Sequence, residues 1–405
     1  MEKAKKKTPW ILPRHKAIVN FLLPIIGPFT RHKYGVTVTP FPEGKTRPYL
    51  IISNHTTGFD QFFVSMAFRS PVYYVATEDI FSNGWISRLL QWAVNPIPIK
   101  KQVSDSGAVM KCVRVAKEGG TIALFPEGNR TYSGKQVYIK PAVAKMAKLL
   151  KLPIAFFRIE EGYGVQPRWS DCVRKGKMRA YVASVMEPEE CRAMSDEELL
   201  AEIQRRIDVN EAAASQPFLH PKQAEYLERA MYVCPDCGLS EFESHGDTIT
   251  CKQCGWQIRH LPTKELEGIT KPFPFRFVSD WYEWQNDFIR NLDLEPLADT
   301  PLYADDIQLS EVILYDRKHL LYKKATLRLY TDRLTIDTPS GQLVLPFAEL
   351  GVVTVLGKNK LNIYHGDQIY QIKGSKRFNA LKYVNLYHRA QPMEEGGNHV
   401  QFLGL

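Results

Sequence analysis

Short apolar strands alternate with amphipathic helices over residues 36–187, and this alternation limits the possible folds of the chain most strongly. Residues 49–52 have the pattern of a buried strand, and residues 61–68 have the length and spacing of a helix. Strands separated by helices are typical of a layered α/β domain. The sequence therefore predicts an α/β domain over residues 36–220. Near its end, Ser195-Asp196-Glu197-Glu198 predicts a capping box that opens a helix through about residue 214.

A histidine and an aspartate lie between the first of these strands and the helix that follows it. His55 comes where the strand ends, and Asp60 comes where the helix begins. In an open α/β sheet, ligands bind beyond the strand ends. An imidazole can take up a proton near pH 7, and a carboxylate can hold it in the right tautomer. Taken alone, the pair also fits a polar loop histidine and a helix N-cap aspartate.

A second strand-and-loop unit favours the functional interpretation. Residues 122–125 again have a buried-strand pattern, and the loop Pro126-Glu127-Gly128-Asn129-Arg130-Thr131 follows. Together with His55 and Asp60, residues 125–130 resemble the motifs of the glycerolipid (lysophosphatidic acid, or 1-acylglycerol-3-phosphate) acyltransferase family. That family pairs a histidine, four further residues and an aspartate with a later Phe-Pro-Glu-Gly-Thr-Arg. Asn129 here replaces the threonine.

The resemblance covers roughly the first half of the chain. Weaker similar blocks are Ile97-Pro98-Ile99-Lys100-Lys101 and residues 152–154. The family usually has an arginine where Lys101 lies, and a lysine keeps the charge but loses bidentate phosphate geometry. The resemblance implies a glycerolipid acyltransferase-like layered α/β fold.

The resemblance also implies a reaction, the acylation of lysophosphatidic acid to phosphatidic acid. His55 would take the acceptor hydroxyl proton while the oxygen attacks an acyl thioester, and Asp60 would orient His55. The donor would be acyl-CoA or an acyl-carrier protein, and no organic cofactor is expected.

Four further residues would bind the substrates. Lys101 and Arg130 would hold the acceptor phosphate, and loop amides around Gly128 would stabilise the oxyanion. Glu127 would accept from a substrate hydroxyl or brace Arg130. The structural alternatives are an ion pair between Glu127 and Arg130 that fixes the loop, and an ordinary surface lysine at position 101.

The net charge of +9, with a sequence pI near 9.0, favours anionic partners such as a membrane surface, nucleic acid or an acidic carrier protein. No segment approaches the roughly 20 apolar residues that a membrane span needs. Cys112, Cys172 and Cys191 are scattered singly, which suggests a reducing compartment.

Residues 1–35 combine a basic start with a mostly apolar run that two prolines, Pro24 and Pro28, interrupt. A signal peptide would fit the basic start, but no small-residue cleavage site follows. We expect a pair of interfacial helices that attach the chain peripherally or monotopically to the cytoplasmic face of a membrane. The alternative is a helix packed on the α/β domain, and the two can hold together.

Two Cys-x-x-Cys pairs predict a metal site within residues 221–260. Thirteen residues separate Cys234 and Cys237 from Cys251 and Cys254. Four cysteine ligands make a closed tetrahedral Zn²⁺ site, which resembles a zinc ribbon. Because a closed site cannot polarise a substrate, we expect a structural zinc. Two redox pairs and an iron–sulfur site are the alternatives.

Residues 221–231 are expected to form a helical link, and residues 261–300 a linker with an aromatic helix over 280–291. The spacing of Trp281, Trp284 and Phe288 favours packing over membrane contact. Residues 301–390 alternate with a period of two, with strands expected from residue 312 onward, and end in a helix, which resembles a PH/GRAM-like domain by element order alone. Its basic residues could bind anionic lipid or simply be solvated (Lys358, Lys360, Lys373, Lys376 and Arg377). Residues 391–405 are expected to be a loose tail.

Two other functions compete with acyl transfer to lysophosphatidic acid. One is a non-catalytic scaffold that binds lipid or nucleic acid through the zinc ribbon and the PH-like domain. The intact set of His55, Asp60, Glu127 and Arg130 argues against it, and nucleic acid is not the expected partner. The other is an acyltransferase whose acceptor is a hydroxyl lipid without phosphate.

Overall fold

The structure is a computed structural model that describes residues 8–99, 106–213, 215–297, 299–313 and 316–391. Within these residues the first half of the chain alternates strands and helices as expected. The strands are β1 (Val36–Val38), β2 (Leu50–Ser53), β3 (Val72–Thr77), β4 (Ile97–Ile99), β5 (Thr121–Leu124), β6 (Ile154–Glu160) and β7 (Met178–Met186). The helices are α1 (Pro13–Tyr34), α2 (Asp60–Phe68), α3 (Trp85–Val94), α4 (Ser106–Lys117), α5 (Ala142–Leu150), α6 (Gly162–Val165), α7 (Pro188–Ala193) and α8 (Asp196–Ile207).

These strands form one mixed sheet in the order β1-β7-β6-β2-β5-β3-β4. The strands from β6 to β4 in this order run parallel to one another, whereas β7 is antiparallel to β6. Helices cover both faces, so Leu50 and Ile52 enter one apolar core and Ile51 enters the other. Burial on both faces explains why the central strands read as continuous apolar runs.

Helix α1 is one continuous helix and not the expected helix pair. Pro24 and Pro28 lie inside it and are exposed. Each proline removes one helical hydrogen bond, but Gly27 and Tyr34 are buried, and α1 packs on α2. Packing of one face therefore keeps α1 helical through both prolines. Gly35 ends the helix in the left-handed conformation, and its N–H donates to Arg31 O at 2.9 Å.

The capping box predicted at Ser195 is present. Ser195 Oγ accepts from Glu198 N at 3.1 Å, and Ser195 N donates to Glu198 Oε2 at 2.7 Å. The helix ends at Ile207, seven residues earlier than expected. The link over residues 221–231 is also less helical than expected, because it holds one short 3₁₀ turn, Leu227–Arg229. The other 3₁₀ turns are Pro42–Lys45, Glu78–Phe81, Glu295–Leu297 and Phe347–Glu349.

The cysteine pairs lie in a small antiparallel unit. Its strands are β8 (Val233–Cys234), β9 (Gly238–Leu239), β10 (Phe242–His245), β11 (Thr248–Cys251), β12 (Gln257–His260) and β13 (Leu266–Gly268). Strands β8 and β9 pair with each other, and β10 to β13 form a four-stranded meander. Helix α9 (Val278–Arg290) follows, and its Trp281 is fully buried while Trp284 and Phe288 pack against the same core. This agrees with the packing interpretation of the aromatic spacing.

A mostly β C-terminal domain with a curled sheet completes the described chain. Its strands are β14 (Tyr303–Val312), β15 (Lys318–Leu329), β16 (Arg333–Thr338), β17 (Gly341–Pro346), β18 (Leu350–Leu356), β19 (Lys360–His365) and β20 (Gln368–Gly374), and helix α10 (Leu381–Ala390) follows. The sheet order is β17-β16-β15-β14-β20-β19-β18. The first strand ends at Val312, where the sequence predicted it to begin. Seven strands and a final helix match the expected element order, and the PH-like assignment stays a prediction.

The two halves of the chain share an apolar core. Tyr132 and Trp169, from loops of the first half, belong to the same cluster of buried residues as Trp281 and Tyr383. The indole N–H of Trp281 donates to Val233 O at 3.0 Å, next to the first cysteine. The cysteine unit and the C-terminal domain therefore pack directly on the α/β domain. Among the described helices, none is both long and apolar enough to cross a bilayer.

Candidate active site

The candidate residues meet at one edge of the first sheet. Strands β2 and β5 are parallel neighbours, with Ile52 opposite Leu124. Parallel neighbours end at the same edge, so the loops carrying His55 and Glu127 emerge side by side. Asn54 fixes the first loop to β6, because its amide donates to Ile159 O at 2.7 Å and its oxygen accepts from Ile159 N at 2.9 Å.

His55 and Asp60 form a direct pair. The distance from His55 Nδ1 to Asp60 Oδ2 is 2.7 Å. Because a carboxylate oxygen only accepts, Nδ1 carries the proton of this bond, and Nε2 of the neutral ring keeps its lone pair. In the described part of the chain, Nε2 has no hydrogen-bond partner. The His55 side chain is 22% exposed. The ring is thus oriented on one side and open on the other.

The Asp60 carboxylate is fully buried and fully hydrogen-bonded. Thr56 N donates to Oδ2 at 2.7 Å, and Thr57 donates to Oδ1 through both its N–H at 3.0 Å and its hydroxyl at 2.6 Å. Asp60 is the first residue of α2 and not its N-cap, and its carboxylate bonds to the loop before the helix. The N-cap interpretation was therefore wrong. The roles of Thr56 and Thr57 had no signal in the sequence beyond their place in the loop.

An aromatic stack supports the imidazole. The His55 ring lies on Phe125 with centroids 4.5 Å apart, and Phe125 stacks on Tyr74 at 6.5 Å. Phe125 is the first residue of the second motif, so the two motifs touch through these rings. This contact limits the rotation of the imidazole without using either ring nitrogen.

Glu127 ties the two loops together through backbone amides. Its Oε1 accepts from His55 N at 3.1 Å, and its Oε2 accepts from Val137 N at 3.2 Å. Burial raises the pKa of Glu127 to about 8, although the two amides oppose this shift. The carboxylate has no recorded bond to Arg130 in the described residues. The alternative of an ion pair that fixes the loop is therefore not found there, and Glu127 instead holds the backbone of His55.

Arg130 is a desolvated cation without a carboxylate partner among the described residues. Burial lowers its pKa to about 10, and the charge of Arg168 contributes to this. Arg168 donates to Arg130 O at 2.9 Å and to Asn129 Oδ1 at 3.2 Å, and it lies over the Tyr132 ring at 4.3 Å. A desolvated cation lacking a counter-charge favours binding of an anion. Arg168 belongs to no sequence motif, and its role was missed.

The structure does not place the other two predicted substrate-binding residues, Lys101 and Gly128, in a substrate-binding role. Lys101 lies outside the described residues. The amide of Gly128 donates to Phe125 O at 3.0 Å, so in this conformation it is not free to bind an oxyanion. Gly128 instead adopts a φ of 67°, which a glycine accepts without strain and which closes the turn.

The cavity beside His55 is far too small for a lipid. Its volume is about 10 Å³, roughly the space of one water molecule. The lining includes His55, Thr56, Glu127 and Glu211. Any molecule larger than water can therefore reach the imidazole only from the exposed side of the ring.

The four predicted metal ligands converge. The sulfur atoms of Cys234, Cys237, Cys251 and Cys254 all lie within 4.8 Å of one another, and the first and last are 3.8 Å apart. Zn–S bonds of about 2.3 Å at tetrahedral angles put sulfurs about 3.8 Å apart, so the cluster fits Zn²⁺. Four converging thiols do not fit two separate redox pairs. Gly238 and Gly255 follow the pairs with φ of 71° and 74°, as such turns need.

Metal content tests the cysteine cluster. The full chain purified without chelator should hold about one zinc per molecule by elemental analysis, since four thiolates form a closed site. Cys251→Ser should lose the metal and melt at a lower temperature. Cys172→Ser is the matched control, because Cys172 lies outside the cluster. A chain that is purified without metal and whose melting temperature does not change on adding a chelator would contradict the assignment of a zinc site.

The buried Glu127 carboxyl predicts a pH effect on stability. Its pKa rises from an ordinary 4.5 to about 8 on folding. Between these values the folded chain binds more protons than the unfolded chain, so its stability falls as the pH rises. The melting temperature of the wild type minus that of Glu127→Gln, measured at the same pH, should therefore decrease from pH 5 to pH 8. A difference in melting temperature that stays constant across this range would show that burial does not raise the pKa of Glu127.

Comparison with known proteins bears on the same part of the chain. Residues 33–159 match the family model described as "Acyltransferase". The 1-acyl-sn-glycerol-3-phosphate acyltransferase of Bacillus subtilis (strain 168) is 22% identical over 130 residues, which are 32% of this chain and 62% of that protein. The crystal structure of the 1-acyl-sn-glycerophosphate (LPA) acyltransferase PlsC from Thermotoga maritima aligns with a TM-score of 0.39 and 22% identity, over 49% of this chain and 80% of that one. Residues 33–159 therefore match an acyltransferase family, and this stretch holds every candidate residue of the first site.

Proposed function

We propose that this chain transfers a fatty acyl group from an acyl thioester to the hydroxyl of a lysophospholipid, with lysophosphatidic acid as acceptor and phosphatidic acid as product. The carrying observation is the His55 Nδ1 to Asp60 Oδ2 bond of 2.7 Å, which leaves Nε2 on the exposed side of the ring. The match of residues 33–159 to an acyltransferase family supports the reaction class. The name of the Bacillus subtilis relative supports this acceptor.

The imidazole would move one proton twice. As the acceptor oxygen bonds to the thioester carbonyl carbon, His55 Nε2 takes the hydroxyl proton, and Asp60 stabilises the imidazolium that forms. When the carbon–sulfur bond breaks, the imidazolium returns this proton to the leaving thiolate. The products are an ester and a free thiol. No covalent acyl-enzyme and no metal take part in these steps.

Arg130 would bind the phosphate of the acceptor. Its guanidinium is largely desolvated and lacks a carboxylate partner in the described residues, and Asn129 and Arg168 hold the loop around it. Two parallel hydrogen bonds from a guanidinium suit a phosphate group. Lys101, which lies outside the described residues, would add a second cation. The donor, acyl-CoA or an acyl-carrier protein, would approach the same exposed edge of His55.

The exposed helices α1 and α3 would place this edge at a membrane surface. Their exposed apolar side chains include Phe21 at 69% and Trp85 at 72% exposure, with Ile25, Phe29, Ile86, Leu89 and Trp92 beside them. A groove of about 420 Å³ between α1 and α2 is lined by Arg31, Lys45 and Arg69. In the described residues none of these three side chains has an ion pair. Apolar side chains next to free cations suit a bilayer with anionic headgroups.

The apolar face of α1 also leads toward the candidate site. The Phe29 ring lies 6.1 Å from the Phe59 ring, and Phe59 immediately precedes Asp60. A lipid whose chain lies along α1 would thus meet the loop that carries His55. We assign residues 1–35 to membrane attachment, residues 36–220 to catalysis, residues 221–260 to a structural zinc ribbon, and residues 301–390 to a PH-like domain.

Removal of the imidazole tests the reaction. His55→Ala should lower thiol release from acyl thioester plus lysophosphatidic acid by roughly 10²–10⁴-fold, since a general base contributes about that much. Its melting temperature should stay near that of the wild type. His319→Ala, at an exposed histidine of the C-terminal domain, should be fully active. Wild-type turnover by His55→Ala would refute the mechanism. A wild type inactive with every lysolipid would favour the binding scaffold.

Membrane attachment has its own test. Trp85→Glu should weaken binding to vesicles that contain anionic phospholipid by about tenfold, since a charge replaces an apolar side chain at the lipid boundary. Val344→Glu makes the same change at another exposed apolar residue, on the C-terminal sheet, and should bind as the wild type does. Cosedimentation with vesicles measures both. Equal binding by the two variants would show that α3 does not face the bilayer.

A further inference from the structure

Two of the five basic residues that could form a lipid-binding patch on the C-terminal domain are bonded to other parts of the chain. Arg377 bonds to Glu225 at 2.9 Å and also pairs with Glu228. Lys358 lies on the turn between β18 and β19 and bonds to the α/β domain. Two of the five basic residues therefore hold this domain onto the rest of the chain.

Asp171 is the centre of this contact. Arg229 donates to its two carboxylate oxygens at 2.9 and 3.1 Å, and Lys358 Nζ donates to Oδ1 at 2.8 Å. Lys358 also donates to Ser170 O at 2.6 Å. Burial opposes the charge of Asp171, but the hydrogen bonds from Arg229 and Lys358 hold its pKa at about 2. The contact therefore stays ionised at any pH at which the chain would be assayed.

The loop that carries Asp171 also carries Arg168, three residues earlier. Arg168 donates hydrogen bonds to Asn129 and to the backbone oxygen of Arg130. Trp169, between Arg168 and Asp171 in the chain, is fully buried in the shared core. A short, well-packed loop thus connects the Lys358 turn to the second motif. Movement of the Lys358 turn would reach Arg130 through two hydrogen bonds, from Lys358 to Asp171 and from Arg168 to Arg130 O.

The charges around this loop are unbalanced. Arg130, Arg168, Arg229 and Lys358 are near one another, whereas Asp171 acts on Lys358 and the more distant Asp60 acts on Arg130. Burial lowers the pKa of Lys358, the bond to Asp171 raises it, and the charge of Arg130 lowers it further. An excess of desolvated cations is costly unless an anion binds among them.

We propose that the C-terminal domain contributes to the acceptor site through Lys358. Lys358 is a positioning residue: it fixes the loop that carries Arg168, and this loop keeps Arg130 in place to bind the phosphate of the acceptor. This inference rests on the proposed acyl transfer. It assigns to the C-terminal domain a role in acceptor binding, in addition to any contact that the domain makes elsewhere.

Substitution of Lys358 in the full chain tests this role. Lys358→Ala should raise KM for lysophosphatidic acid about tenfold and change kcat less than about threefold, because Lys358 would affect acceptor binding and not the proton transfer. Lys358→Arg should restore most of the affinity, since it keeps the charge and the donors. Lys323→Ala, at an exposed lysine of the same domain, is the matched control. Should Lys358→Ala fold poorly, Lys358→Met keeps the stem and removes only the ammonium.

Hydrogen exchange gives a readout independent of turnover. The amides of residues 129–134 should exchange faster in Lys358→Ala than in the wild type and the Lys323→Ala control. Unchanged exchange together with an unchanged KM would overturn the inference, as would a fall in kcat with KM unaltered. An inactive wild type would instead mark the failure of the proposed acyl transfer. The two failures are therefore distinguishable.

Discussion

The candidate site depends on one buried charge, the carboxylate of Asp60. A carboxylate without contact to water is tolerated only when donors surround it, and the backbone at Thr56 and Thr57 turns so that two amides and a hydroxyl point at it. The same turn brings His55 Nδ1 onto the carboxylate. The conformation of the loop and the orientation of the imidazole are therefore a single constraint. Glu127 adds to it from the neighbouring strand by accepting the amide of His55.

The cations of the site are arranged by a different principle. Within the described residues, Arg130 is held through its backbone by Arg168 and not by a carboxylate, so its guanidinium keeps its capacity to bind an anion. Arg168 belongs to a loop that Asp171 connects to Arg229 and Lys358. The part of the site that would recognise a phosphate is thus built by segments far apart in the chain. The part that would move a proton lies within six consecutive residues.

The cysteine unit and the C-terminal domain are structurally continuous with this arrangement. Tyr132, next to the second motif, and Trp169, inside the loop of Asp171, pack in the same apolar core as the cysteine unit and α10. A metal ion held by the four cysteines would add stability to this small unit. Stability of the cysteine unit would therefore support the surface on which the loop of Asp171 rests.

The sequence by itself determined the features that depend on near neighbours. These are the alternation of strands and helices, the capping box at Ser195, the pairing of His55 with Asp60, and the convergence of the four cysteines, because each follows from spacing along one short segment. Only the tertiary structure decided the rest: α1 runs unbroken through Pro28 because its other face is packed, and Lys358 meets Asp171 across 187 residues. No rule of spacing links residues so far apart, since their meeting depends on how complete domains pack.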